Sequence, residues 1–471
     1  MKTRIFTAAA LAAIATFSLD AKITLPSVIG DNMVLQQKTD AALWGKAEPG
    51  SKVTVKASWA KKPVSVTASA DGKWETRIAT PEAGGPYSLE ISDGEAVVLN
   101  DILIGEVWFC SGQSNMEMPV RGFDNQPVEG SAEAILGARP ERPIRMCTVQ
   151  KNTSCSPLED CTAKWEKNTP EAVKEASATA YFFADYLQKI LDVPVGILIS
   201  DWGGTPVESW MDKETMKGFP EFDLSFLDTP GADFNAFMPC TLFNAMVSPV
   251  IPYTLKGFLW YQGEANRGRA DQYGRLLPAY VEMMREKWGN DEMPFYYVQI
   301  APFNYAGPED IQGALIREAQ MHCLKTIPYS GMAVTLDIGD YDCIHPAKKA
   351  EAGRRLAYMA LTKDYGIQGI DPDTPVYRSM EVNGNRAVIY FEVGFMGLAP
   401  LGHALTGFEI AGSDKVFHPA KAHISGFDKV EVYCEEVPSP VAVRYCFKDE
   451  VQPSLYNGSG IPASSFRTDS W

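Results

Sequence analysis

Histidine is scarce in this chain, with five residues in 471. None stands at a spacing that resembles a zinc site, so no metal centre is expected. Basic charge is also in short supply. Lys and Arg number 43 against 59 Asp and Glu, and the formal charge is −16. That balance speaks against nucleic-acid binding, which needs basic surface to neutralise phosphates, and against docking on anionic lipid. Past the amino terminus no segment is long and apolar enough to cross a bilayer, so membrane insertion is not expected. No internal repeat is visible, and no low-complexity linker marks a joint between domains. Cysteine is sparse and odd in number: Cys110, Cys147, Cys155, Cys161, Cys240, Cys323, Cys343, Cys434 and Cys446. An odd set leaves at least one thiol unpaired. Cys147, Cys155 and Cys161 cluster in a loop-like stretch and could include a bridge. Cys434 and Cys446 flank EEVPSP and could face each other across a hairpin. Neither pairing follows from spacing.

What is present describes a folded chain of several parts. The composition is 45% hydrophobic, 11% aromatic and 22% charged, as in globular proteins. The length exceeds one average core, so two or three domains are expected. The amino terminus reads MKTRIFTAAALAAIATFSLDA. Lys2 and Arg4 give a positive start, an apolar stretch follows, and Leu19-Asp20-Ala21 approximates a cleavage site. A removed signal peptide over residues 1–21 is the expectation, with export to a periplasm or the outside.

Residues 22–100 alternate apolar and polar side chains in KVTVKASW and PVSVTASADGKWETRI. EPGS and ADGK supply turns between them, and a small β-sandwich is expected. The pattern changes near residue 101. DILIGEVWFCSG, VPVGILISDWGG, LKGFLWY, MPFYYVQIAP and GMAVTLDIGD read as buried strands. Helical periodicity marks 171–192, 269–288, 310–326 and KKAEAGRRLAYMALTKDYG. Strands alternating with helices imply a parallel sheet covered on both faces over residues 101–371. From 372 to 471 the chain is β again, in AVIYFEV, LTGFEIAG, KVEVYCEE and VAVRYCF.

In such sheets ligands bind beyond the carboxyl ends of the strands. Those ends deliver Gln113-Ser114-Asn115, Gly203-Gly204-Thr205, Gln262-Gly263-Glu264-Ala265-Asn266, and Asp340 through Pro346. Together they hold the parts of a serine hydrolase. Ser114 needs a base, and His345 is placed to serve. Asp342, three residues earlier, is placed to hold the imidazole's other nitrogen. The oxyanion needs donors: the Ser114 N–H at a helix N-terminus, the Gly203 N–H, and the Gln262 amide, with Asn266 as the alternative. Taken singly, each has a plainer role. Ser114 reads as a helix N-cap, the glycines as turn residues, Gln262 as a loop tether, and His345 as a structural histidine. The others, His322 in a helix and His403, His418 and His423 in β regions, leave His345 as the histidine on a strand-end loop.

The turns carry a family resemblance. GQSNMEMP resembles block I of the SGNH hydrolases, in the form used by the sialate O-acetylesterase family. SDWGGTPVESWM is similar to its block II, WYQGEAN to block III, and DCIHPAKKAEAGRRLA to its last block. LPSVIGDNMVLQQ with WGKAEPGSKVTV resembles the family's N-terminal β domain, and PVAVRYCFKD with LYNGSGIPASSFRTDSW its C-terminal end. The resemblance implies an SGNH-hydrolase-like α/β fold, a parallel sheet sandwiched by helices and flanked by N- and C-terminal β domains. It implies Ser114 as nucleophile, His345 as base with Asp342 (or Asp340) beside it, and Gly203 and Gln262 as oxyanion donors. The implied reaction removes an O-acetyl group from a sugar, sialic acid first, and needs no cofactor. Trp202, Glu208, Trp210 and Trp260 lie close to the blocks and are candidates to shape the sugar pocket, with core packing the competing role for the tryptophans. Sialate is anionic, so Arg121, Arg267 and Arg269 are candidate partners by position. An esterase for xylan or another plant polysaccharide, and a carbohydrate-binding protein with a dead site, are the competing readings. The oligomeric state does not follow from sequence.

Overall fold

The computed structural model describes residues 23–471; the expected signal peptide at 1–21 lies outside them. The molecule is organised by one long strand, β1 (Ala96–Gly112). From Ile102 to Gly112 every residue of β1 is buried, as expected of a strand covered on both faces. The other strands of the central sheet are β2 (Ile144–Thr148), β3 (Trp165–Lys167), β4 (Val195–Asp201), β5 (Gly257–Tyr261), β6 (Phe295–Val298) and β7 (Ser330–Ala333). Their order across the sheet is β7-β6-β5-β1-β4-β2-β3. All pairs are parallel except β2–β3. After β1 the chain moves to one side of it for β2 to β4, then crosses to the other side for β5. β1 therefore stands at the switch point, where the carboxyl ends of β4, β1 and β5 open a crevice.

The helices fall close to the expected segments. After α1 (Ser114–Glu117) come α2 (Ala178–Leu191), α3 (Ala270–Trp288), α4 (Gln312–Thr326) and α5 (Lys349–Lys363). The 171–192 segment is broken. A single turn, Pro170–Val173, is capped by Thr169, and Ser177 starts α2 by accepting the Ala180 N–H. Both caps are side-chain oxygens that answer unpaired N–H groups. α2 and α5 cross closely because Gly353 has no side chain; a Cβ there would lie 2.7 Å from Phe183 N.

The N-terminal β region is not set off by a break. The first half of β1 pairs antiparallel with Gly84–Ser92 and parallel with Val34–Gln36. Its second half pairs with β4 and β5. The expected boundary at 100/101 thus falls inside one continuous strand. Asp40–Lys46 and Lys73–Ala79 form a separate pair. The C-terminal region holds two four-stranded antiparallel sheets. It is seated on α4 through Arg317, whose guanidinium reaches Ser465 Oγ at 3.1 Å and the Cys446 and Lys448 carbonyls. Arg467 grips Glu318 with two bonds of 2.9 Å. The fold is the expected one: an α/β parallel sheet between helices, with β structure at both ends. Neither of the two cysteine groupings left open by the sequence is bridged. All nine cysteines are free thiols, most of them buried.

Candidate active site

Gly112 sets up the site. Its φ is +147°, and a Cβ there would lie 2.2 Å from the Tyr261 carbonyl on β5. Only glycine allows the two strand ends to run this close. Gln113 follows in extended conformation and occupies the N-cap position of α1. Its Oε1 accepts the N–H groups of Gly263 and Ala265, at 3.3 and 3.1 Å, which locks the β1 turn to the β5 turn. Ser114 is therefore the first helical residue and not the cap. Among the described residues neither its N–H nor its hydroxyl makes a hydrogen bond.

Asn115, fully buried, joins three turns. Its Nδ2 donates to Glu264 Oε1 at 2.6 Å and to the Ile344 carbonyl at 3.1 Å. Its Oδ1 accepts Lys349 Nζ. The residue after Ser114 is thus tied to the residue before His345. Burial drives both charged neighbours toward neutrality: it raises the Glu264 carboxyl and pushes the Lys349 ammonium down to about 7, against the pull of Glu264.

His345 is half-buried, with Phe123 edge-on at 5.2 Å. Its Nδ1 is 2.6 Å from Gln126 Oε1. An amide oxygen only accepts, so Nδ1 carries the proton and Nε2 keeps its lone pair. Burial, and then the charge of Lys349, push the imidazole down to about 4, with Glu117 opposing. His345 is neutral at physiological pH, as a base must be.

Asp342 does not hold this imidazole. The turn closes tightly, Cys343 N–H to the Asp340 carbonyl at 3.3 Å, and leaves Asp342 exposed with its N–H on Asp340 Oδ1 at 3.0 Å. Asp340 is exposed as well. The Nδ1 position belongs to Gln126, from a loop whose sequence gave no signal.

Two expected oxyanion donors are otherwise engaged. Gly203 is beside Ser114: a Cβ on it would lie 3.2 Å from Ser114 Cβ. Its N–H, however, donates to Glu117 Oε2. Gln262 is wholly buried and its Nε2 donates to Asn266 Oδ1 at 2.7 Å and to the Thr205 carbonyl at 3.3 Å. Asn266 in turn donates to Glu208 Oε2 at 2.9 Å. These amides brace the β5 turn against the β4 turn beneath the site. The Ser114 N–H is the donor left open.

Of the candidate pocket residues, Trp202 is half-buried, with the Lys151 ammonium 5.4 Å from its ring centroid. Glu208 is 3% exposed and pairs with Arg269 at 2.8 Å, so it serves the scaffold rather than a sugar. Trp210 is fully buried, bonded to Thr205 Oγ1 at 3.0 Å and edge-on to Trp260. Both are core residues because the β4 turn folds inward over β5. Arg121 and Arg267 are paired with Glu175 and Asp310. Among the described residues no group of three or more His, Cys, Asp or Glu side chains could hold a metal ion, and no helix is long and apolar enough to cross a membrane.

A hydroxyl-bearing turn at the sheet's switch point, tied through Asn115 to the loop that carries a neutral imidazole, is an arrangement suited to a hydrolase, and comparison with known proteins gives its class. Residues 104–362 match the family described as carbohydrate esterase, sialic acid-specific acetylesterase. Human sialate O-acetylesterase is 30% identical over 402 residues, 77% of this chain and 75% of that protein. The rat protein is 28% identical over 415 residues, 76% of each. A solved carbohydrate acetylesterase from Xanthomonas citri is 35% identical and superposes with a TM-score of 0.87, covering 96% of this chain and 100% of that one. The protein is a carbohydrate esterase. The chain belongs to the sialic acid-specific acetylesterase family.

Proposed function

We propose that this protein is an exported O-acetylesterase that frees sugars, sialic acids first, of their acetyl groups through an acetyl-serine intermediate. The observation that carries the reading is the Asn115 clamp, which joins the Ser114 turn to the His345 loop, together with the Gln126 bond that leaves Nε2 as the free base. Ser114 Oγ attacks the acetyl carbonyl carbon while Nε2 takes its proton. The oxyanion forms against the Ser114 N–H. The tetrahedral intermediate collapses, the carbon–oxygen bond to the sugar breaks, and imidazolium protonates the departing hydroxyl. Water, deprotonated by His345, then attacks the acetyl-serine and releases acetate. Export rests on the sequence of residues 1–21.

The names of the mammalian relatives support sialate as substrate. One observation favours a neutral acetylated polysaccharide instead: Arg121, Arg267 and Arg269 are all paired with carboxylates, and Lys151 with Glu117. Acetate release from 9-O-acetyl sialic acid and from acetylxylan, measured side by side, separates the two. We expect the sialate to be preferred, with Ser114→Ala abolishing release from both while leaving thermal unfolding unchanged. A higher kcat/KM on acetylxylan reverses the substrate assignment, and residual turnover in Ser114→Ala removes the nucleophile.

A further inference from the structure

Glu117 stands three residues after Ser114 on α1 and takes no part in the steps above. Its Oε2 accepts the Gly203 N–H, and its Oε1 is 2.7 Å from Lys151 Nζ. A Cβ on Gly203 would meet Glu117 Oε2 at 3.1 Å and Ser114 Cβ at 3.2 Å. Carboxylate and nucleophile therefore flank the same backbone position. The side chain is 22% exposed, so it lies at the rim of the site and not in the core.

The missing acid gives this placement meaning. Gln126 fixes the tautomer of His345 but brings no charge, and both Asp342 and Asp340 are exposed. When Ser114 attacks, His345 becomes a cation in a half-buried place. Gln126 and Phe123, from the loop after α1, touch its ring, and the charges that act on it are those of Lys349 on α5 and Glu117 on α1. Lys349 opposes the cation and Glu117 favours it. Around Glu117 stand Lys151 and the buried Asp201, whose carboxyl is pushed up to about 8 by burial and by Glu117 itself. Asp201 is neutral in the working range, and Glu117 is the acid of the two that pairs with Lys151.

We propose that Glu117 is a positioning residue for acyl transfer: it ties the Gly203 turn to the helix that carries Ser114, and it supplies to His345 the negative charge that a triad aspartate otherwise brings. The proposal rests on the Ser114–His345 reading above. It assigns two separable duties. Glu117→Gln keeps an oxygen for the Gly203 N–H and deletes the charge; Glu117→Ala deletes both. Lys151→Met, at a half-exposed side chain, leaves Glu117 in place and removes the cation that offsets it.

The experiment is the pH dependence of kcat and KM for p-nitrophenyl acetate in wild type, Ser114→Ala and these three variants, with thermal unfolding as the check on folding. Glu117→Gln is expected to lower kcat about tenfold with KM and melting unchanged, the scale of one charge acting through a protein surface. Its acid limb moves to lower pH, because the imidazolium has lost a stabilising neighbour. Lys151→Met moves that limb to higher pH. Glu117→Ala falls further than the glutamine variant. Wild-type kcat and pH profile in Glu117→Gln would reduce the residue to a tether and overturn the proposal, as would acid limbs unmoved in both the glutamine and Lys151 variants. Turnover persisting in Ser114→Ala would instead break the nucleophile assignment, a different failure with a different signature.

Discussion

Gln126 takes the position on His345 that a carboxylate holds in most serine hydrolases. An amide oxygen orients the ring without raising its basicity, and the ring is already depressed to about 4 by burial and Lys349. The consequence is an imidazole that stays unprotonated far into acid. Since the working form is neutral, kcat/KM should hold steady as pH falls from neutrality and drop only near pH 4, well below the 6.5 of a free imidazole. Gln126→Ala should cut kcat by about 10- to 100-fold, because the tautomer is no longer fixed. Asp342→Asn should leave both rate and profile untouched, since that side chain is exposed. A damaging Asp342→Asn beside a harmless Gln126→Ala would return the orienting role to the acid. At this scale the sequence was legible for the placement of Ser114 and His345 on strand-end turns, which Asn115 joins. It was not legible for Gln126, Gln262 or Gly203. The partner of a side-chain amide or a turn N–H is chosen by packing between distant segments, and local spacing is blind to that: the Asp-x-x-His interval is compatible with a contact, yet the turn it lies in faces outward.

Elements were easier to read. Buried parallel strands and amphipathic helices repeat their signal over many residues, so α3, α4 and α5 lie within a few residues of the expected segments. The break before α2 is a matter of one cap, Ser177, inside an otherwise helical pattern. The strand–helix junction at Gly112 is the element on which the site depends most. Gly112→Ala forces a methyl group against the Tyr261 carbonyl in a backbone conformation that alanine resists. We expect a loss of about 2–4 kcal/mol in unfolding free energy and a larger proportional loss of kcat, as Ser114 is displaced from the His345 loop. Denaturant melts and acetate release measure the two; a variant as stable and active as wild type would show that the close approach of β1 and β5 is not required.

Over the whole molecule, the amino-terminal, central and carboxyl-terminal regions are not independent. Arg317, fully buried on α4, is bonded to Ser465 and to carbonyls of the 446–448 segment. Removal of residues 372–471 would strip that guanidinium of these partners and open the face of α4 that they cover. A chain ending at 371 is expected to be insoluble or to melt far below the full protein; a soluble, active product with the parent's melting temperature would contradict this. The amino-terminal joint was hidden from sequence for a related reason. Residues 96–112 read as one strand because they are one, and composition does not change where its pairing partners do. That shared backbone limits what can be recombined. An exchange of the front layer with that of a relative must splice through hydrogen-bonded backbone instead of a loop, and any slip in its alignment would travel along the strand and arrive, one peptide at a time, at the serine.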